Sequence, residues 1–532
     1  MSFAKNDSQQ ISFDDALFNL TSRERKMLEK SWAKPFADKI FPKIKEDDFA
    51  VLYSDKASRP NTPVNVIIGG MILKELLGLT DDEFVSSLLF DVRFQYALHT
   101  TSFEEQPISD RTFSRFRKRC LTYEMETGED LIHDCIKSLS AEMASIMKID
   151  GHLKRMDSLM ISSNIRRLSR LELIYTCVAD FVKLLHQTGQ DELIKGMEHY
   201  YDPDDYNRVI YYSRSEDFDN RLTTILGDAE KLLLQCQGGY DDFSEYQLLV
   251  RVLREQTVKD ESGNTRLRTK EDGGMDSHIL QNPSDPEATY REKAGKSHRG
   301  YAANVTESIG ENGTVVTDYQ YADNTRSDIS FLEEYIDGSD AGKDTTLITD
   351  GAYSSQELER KASDKGISLV TTDLTGREAN DIHADFKFSE NGMVTECPAG
   401  HSPKSACYIK KTGQCRASFN RSQCESCPYK DRCRPKIFKR TSIKFVSKKS
   451  AARAESQRGR QTEEFRNLAR VRNGVETIPS ILRRKYRIDE MPVRGKKNTK
   501  LRFGFKIGAL NFNKLFRYLN GLGSYTLNQA LT

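Results

Sequence analysis

Apolar positions recur at helical spacing through residues 20–145, in FPKIKEDDFAVLY, VNVIIGGMILKELLGL, DDEFVSSLLFDVRFQYAL and DRTFSRFRKRCLTYEM, with Pro, Gly and Asn between the runs. This pattern predicts an all-α domain over residues 1–145. One of its helices opens at Ser109-Asp110, either of which could cap it. Phe113 and Phe116 of that helix are placed for packing, whereas Arg111, Arg115, Arg117, Lys118 and Arg119 make the rest of it basic. Such a helix could enter a nucleic-acid groove, or present a basic surface on an ordinary packed helix.

From about residue 146 the period shortens, and HLKRMDSLMISS suits a strand around Asp157. Helical periodicity returns over residues 165–255, in LSRLELIYTCVADFVKLLHQ, RLTTILGDAEKLLLQCQ and YQLLVRVLREQ, and a polar stretch, residues 256–298, follows. Then come GYAANVTES, a turn at Gly313 into TVVTDYQYA, the amphipathic DISFLEEYI, the strand TTLITD, the helix SSQELERKAS and the strand ISLVTT. Strands reached through intervening helices specify an α/β layer rather than a sandwich. The expected plan is a second domain, 146–532, interrupted by a helical insertion at 165–275 and a cysteine-containing insertion at 376–455. No internal repeat is present.

A chain of 532 residues is long enough for several cores. With 37% hydrophobic and 30% charged residues, and no apolar run near the roughly 18–20 residues that span a bilayer, no membrane role is expected. The opening MSFAKNDSQQISFDD lacks the pattern of a secretory signal, so a cytoplasmic location is expected. Net charge is only +1, but residues 434–517 hold 25 Lys or Arg against 6 Asp or Glu, which leaves the remainder near −18. That asymmetry is the footprint of a phosphate backbone over one surface, or of a solvated charged face. Arg483, Arg484, Lys485, Arg487, Arg494, Lys496, Lys497, Lys500 and Arg502 most simply grip phosphates. Tyr486 and Phe503 could stack on bases or pack in a core.

Phosphodiester chemistry needs an activated oxygen nucleophile and a stabilised leaving oxygen, which two divalent ions about 3.5–4 Å apart can supply. Magnesium takes oxygen ligands and keeps several waters, so two or three converging carboxylates suffice. Asp350 closes the apolar run TTLIT before Gly351, where a buried strand emerges into a loop. Asp157 lies in the otherwise uncharged MDSLMISS, where an isolated acid is costly without a partner or metal. Glu476 falls in the most basic part of the chain, and on a helix it would share a face with Arg472 and Arg483. Any one of the three could equally be a cap or a turn former.

The segments RMDSLMISSNIRRLSRLEL, LITDGAYSSQEL and RVRNGVETIPSILRRKYRIDEMPVRGKK, with the later ALNFNKL, resemble the DDE transposases of bacterial insertion sequences over roughly residues 50–520. Residues 59–120, with RPNTPVNVIIGGMILKELLGL and ISDRTFSRFRKRC, resemble the helical N-terminal domain of one large group of these proteins. The resemblance implies an RNase H-like catalytic fold and a metal-binding triad of Asp157, Asp350 and Glu476 holding two Mg2+ or Mn2+ ions. It implies double-stranded DNA as partner, both the terminal inverted repeats of an element and its target. It also implies strand cleavage followed by strand transfer, a homodimer at synapsis, and a bacterial, nucleoid-associated setting. Arg111, Arg115, Lys118, Arg472, Arg483, Arg484, Lys485, Arg494, Lys496 and Lys497 are the candidate DNA contacts. Some of these transposases carry a Tyr, Arg, Glu and Lys signature around the third acid. Arg472 and Glu476 match it, Arg483 stands where Lys is usual, and Ala469 replaces the Tyr. Pro479 predicts a kink or a helix start just after Glu476.

Six of the ten cysteines lie within residues 397–433. Clustered thiols in a reducing compartment suggest a structural zinc site, with Cys397, Cys424, Cys427 and Cys433 the best set and His401 or Cys407 as substitutes. The alternative is a group of reduced, unliganded thiols. Three rival functions remain open on the sequence: a structure-selective nuclease using the same acids, a non-catalytic DNA-binding regulator descended from a transposase, and a zinc-stapled interaction protein.

Overall fold

A computed structural model describes residues 1–6, 15–56, 58–109, 111–211, 217–293, 295–339, 344–372 and 379–522. In chain order its principal elements are helices α1 (Val64–Leu77), α2 (Thr112–Thr127) and α3 (Leu131–Ile146), strand β1 (Leu153–Ser162), and helices α4 (Arg170–Gln187), α5 (Phe218–Cys236) and α6 (Ser244–Gln256). Strands β2 (Thr289–Lys293), β3 (Lys296–Gly310) and β4 (Gly313–Asp323) follow, then α7 (Asp328–Gly338), β5 (Thr345–Thr349), α8 (Gln356–Asp364) and β6 (Ile367–Thr371). The last part comprises β7 (Ser405–Ile409), β8 (Gln414–Asn420), β9 (Thr441–Val446), α9 (Lys448–Gly459), α10 (Glu463–Asn473), α11 (Thr477–Arg484) and α12 (Lys496–Leu519). The fold is thus mixed, helical and sheet. Where FPKIKEDDFAVLY reads as helix, Pro42 limits the chain to the short 3-10 turns Phe41–Lys43 and Glu46–Leu52.

The chain forms two compact units, one of Met1–His152, Met156–Phe331 and Thr477–Thr532, the other of Leu153–Arg155 and Leu332–Glu476. In the first, α12 is the central element, packed on α1, α3 and β4 and burying Phe503, Phe505, Ile507, Leu510, Phe512 and Leu515. Three of its polar side chains are buried with partners: Lys506 pairs with Glu75 at 2.6 Å, Lys514 pairs with Glu307, and Asn511 exchanges two hydrogen bonds with the backbone of Val316 in β4. Strand β3 pairs antiparallel with β4 from Tyr301↔Asp323 to Gly310↔Gly313, antiparallel with β2 through its first residues, and with β1 on its other side. Gly300, at φ 142°, sits where a Cβ would collide with the carbonyl of Ile161, so this approach of β3 to β1 requires glycine. Helices α4, α5 and α6 close around a core of their own that includes Phe181, Leu185, Leu232, Leu249 and Val252.

In the second unit the first residues of β1 run parallel to β5 (Leu153↔Thr346 to Arg155↔Ile348), and β5 runs parallel to β6 with α8 as the crossover. A separate four-stranded antiparallel sheet is built from β7, β8, β9 and the short strand Lys436–Ile437, with β8 and β9 at its centre. Its core is small, comprising Phe386, Val394, Cys415, Ala417, Phe419 and Val446.

Candidate active site and its basic surroundings

Asp350 follows the buried strand β5, and its Oδ1 accepts the amide of Ala352 at 2.9 Å, capping the 3-10 turn Gly351–Tyr353. The cap is therefore real, but it uses one carboxylate oxygen only. The other faces Arg472, whose Nη2 lies 3.5 Å from Asp350 Oδ2 and whose Nη1 lies 3.1 Å from Glu476 Oε1. Arg472 is nearly buried, with 12% of its side chain exposed, while Glu476 is 68% exposed. A single guanidinium fork thus bridges two carboxylates that are remote in the chain.

Local sequence explains how Glu476 reaches that position. Helix α10 ends at Asn473, a 3-10 turn Gly474–Glu476 follows, and α11 starts at Thr477. Pro479 stands in the first turn of α11, where its missing N–H costs no hydrogen bond, so of the two outcomes it predicts, the helix start is the one found. The residue that sequence reasoning missed is Arg155: its buried guanidinium donates to the carbonyl of Val471, and a Cβ on Gly474 would collide with it. A glycine inside an otherwise helical run, between Arg472 and Glu476, was the available signal.

Asp157 is the fifth residue of β1 and is half-buried in the first unit, its Oδ1 accepting the amide of Ser158 at 3.0 Å. Arg483 bonds Asp489 at 3.0 Å and the carbonyl of Met160 at 2.8 Å, and Asp489 in turn accepts the amide of Ser162, so this pair clamps the end of β1. Among the described residues no three His, Cys, Asp or Glu side chains already form a metal-binding constellation.

The basic residues divide by environment. Arg111, Arg115 and Lys118 on and beside α2 are exposed, whereas Arg117 is held by Asp81 at 2.6 Å and Arg119 lies over the ring of Tyr53. Ser109 does not cap α2, whose N-cap position is Arg111 with no side-chain cap bond, and instead engages the hydroxyl of Thr112 at 3.0 Å; Asp110, the other expected cap, lies outside the described residues. Arg484 is exposed, Arg494 donates to the carbonyl of Asn164 at 2.9 Å, Lys496 pairs with Asp323 at 3.3 Å, and Lys497 is half-buried. Lys485 is turned inward, where burial first and then the charge of Arg517 push its pKa down to about 8. Tyr486 and Phe503 are core residues. Cys397, Cys424, Cys427, Cys433 and His401 line one cavity, while Cys407 is exposed on β7 and Cys415 is buried in β8.

Residues 27–119 match a family described as a transposase domain (DUF772), and residues 396–516 match a family described as a transposase DDE domain. Both matches are to transposase domains, which supports an insertion-sequence DDE transposase. The second match includes Arg472, Glu476 and the cysteine quartet but stops short of Asp157 and Asp350. A DDE domain implies an RNase H-like fold; within the first unit β4, β3 and β1 pair in that order, and within the second the start of β1, β5 and β6 do. No curated protein sequence matches the chain. Among solved structures, the cryo-EM structure of the piggyBac transposase synaptic complex with hairpin DNA aligns over 95% of this chain and 77% of that one, at 8% identity and a TM-score of 0.28. A likeness that slight says nothing of the site. Among the described residues no helix is long and apolar enough to cross a membrane.

Proposed function

We propose that this transposase cuts DNA at the ends of an insertion sequence and joins the freed ends to target DNA, using Asp157, Asp350 and Glu476. The observation that carries the reading is the meeting of Asp350 and Glu476 on one cation, the Arg472 guanidinium. A place that two carboxylates share with a positive charge suits a divalent cation, and oxygen donors are the set that magnesium or manganese selects. Asp350 and Glu476, with Asp157, would hold two such ions, which when bound supply Lewis-acid stabilisation of the attacking and leaving oxygens. Arg472 must then yield its acids, and its fork is suited to a DNA phosphate instead. In the first step a water oxygen bonds to phosphorus and the 3′-oxygen leaves; in the second, that 3′-hydroxyl attacks a target phosphodiester and expels the 3′-oxygen of the target strand, with no covalent enzyme intermediate.

The same proposal assigns Arg111, Arg115, Lys118, Arg484, Arg494, Lys496 and Lys497 to double-stranded DNA, with the helical residues 1–145 serving DNA binding or assembly. It makes the working form a homodimer in a bacterial cytoplasm. The test is cleavage and strand transfer of linear DNA bearing the flanking element's ends, with Mg2+ or Mn2+, comparing the wild type with Asp157→Ala, Asp350→Ala and Glu476→Ala. Joined products lost by at least about a hundredfold in each variant are expected, the scale at which a single catalytic group typically contributes. Cleavage without joining would replace this function with that of a nuclease, and DNA binding without cleavage would replace it with that of a regulator.

A further inference from the structure

We propose that Cys397, Cys424, Cys427 and Cys433 bind one zinc ion that fastens the loops of the antiparallel sheet β7–β9 to its core. The four thiols come from a turn (Cys397), the helix Arg421–Glu425 and the residues just after it (Cys424, Cys427) and the helix Lys430–Cys433 (Cys433), and line the same small, largely apolar cavity with Phe386, Phe419 and Lys444. They are drawn together by two tight turns. In one, the amide of Gly400 donates to the carbonyl of Cys397 at 2.8 Å and the amide of Cys397 to the carbonyl of His401 at 2.9 Å; Gly400, at φ 79°, makes the turn possible. In the other, the amide of Lys430 donates to the carbonyl of Cys427 at 3.0 Å, turning the chain between the helix Arg421–Glu425, which holds Cys424, and the helix Lys430–Cys433. Cys407 and Cys415 belong to β7 and β8 and point elsewhere, exposed in one case and accepting the amide of Val394 in the other. The sequence alone left Cys407 as a substitute; the cavity excludes it.

A further observation points to an anionic complex in this cavity. Lys444 is buried beside it, 8% exposed, with its ammonium donating to the carbonyl of Cys433, and among the described residues no carboxylate pairs with it. When zinc binds, four S–H bonds lose their protons to solvent, four Zn–S bonds form, and the resulting complex of net charge −2 lies beside the Lys444 ammonium. Among the described residues the sulfurs do not themselves form a metal constellation. Four thiolates in a tetrahedron suit zinc rather than the hard ions of phosphoryl chemistry. The need is physical, since the core of this sheet is only six buried residues.

The full chain, purified without added metal, is expected to contain one zinc per molecule by inductively coupled plasma mass spectrometry. Cys424→Ser and Cys427→Ser should each lower that content at least tenfold, and Cys407→Ser should leave it unchanged. Replacing zinc with Co2+ should give the intense visible bands of a tetrahedral four-thiolate site, and Cys433→His should keep tetrahedral bands at shifted energy, which separates ligand loss from unfolding. Wild-type protein without stoichiometric metal, with iron in its place, with a cobalt spectrum of fewer than four thiolates, or with equal zinc loss in Cys407→Ser would overturn the assignment.

Discussion

Arg472 holds two acids that repel each other when no other cation is near. Removing it leaves Asp350 capping its turn but unneutralised beside Glu476. Arg472→Ala should therefore lower stability by about 1–3 kcal/mol, the range for hydrogen bonds to charged groups. Millimolar Mg2+ should recover part of that loss in the variant while stabilising the wild type less, as read from urea midpoints with and without the ion; an identical response in both proteins would refute the exchange of guanidinium for metal. Lys485 gives a second residue-scale expectation. Its folded pKa, about 8, lies below the ordinary lysine value near 10.4, so between these pH values the unfolded chain binds the extra proton and stability rises with pH. Below pH 8 the full penalty of the buried charge is present. Lys485→Met should accordingly be more stable than the wild type at pH 7, and the gap should narrow steadily from pH 8 to 10 in parallel urea titrations. A gap that does not change with pH would sink the assignment. The i,i+4 spacing of Arg472 and Glu476 was legible in the sequence, as was Asp350 at its strand end. That Arg472 also reaches Asp350 was not, because no local period links α10 to β5.

Among the elements, α12 shows where composition misleads. Its Lys and Arg residues count towards the basic surplus of the C-terminal region, yet Lys506, Lys514 and Arg517 are buried, and Lys500 pairs with Asp130 at 2.7 Å. Charge counting treats each cation as surface, whereas partners such as Glu75 and Glu307 lie hundreds of residues away and carry no local signal. The strands fared better. GYAANVTES and TVVTDYQYA read as a pair around Gly313, and the structure pairs them down to Gly310↔Gly313, with a register shift between Thr306 and Glu307. The tight packing of α12 yields a ranking of two substitutions. A Cβ at position 504 would collide with the Tyr319 hydroxyl, whereas one at 508 would meet Ile136 Cδ1, the end of a flexible side chain, at 3.0 Å. Alanine gains about 1 kcal/mol of helix propensity at either site, against an overpacking cost of roughly 1–3 kcal/mol where the neighbour cannot move. Gly504→Ala should thus lower the urea midpoint and Gly508→Ala should leave it nearly unchanged; the reverse order would mean that α12 is not seated on β4 as described.

For the molecule as a whole, the sequence displayed its helical stretches, its α/β order and its cysteine cluster, because each has a period or a spacing. It did not display which distant segments share a core. Residues 1–145 read as a domain of their own, but Phe36 stacks edge-on against Phe512 at 5.1 Å, and Ile72 and Ile136 close over Gly508. The first unit is completed by Thr477–Thr532, after the chain has passed through the second. This path has a consequence for synthesis. As the chain leaves the ribosome, α1 and α3 emerge long before α12, the element on which both pack. The core of the first unit is therefore completed only once residues 477–519 have been made, and a product halted before residue 496 keeps an unfinished core that proteases and chaperones can recognise.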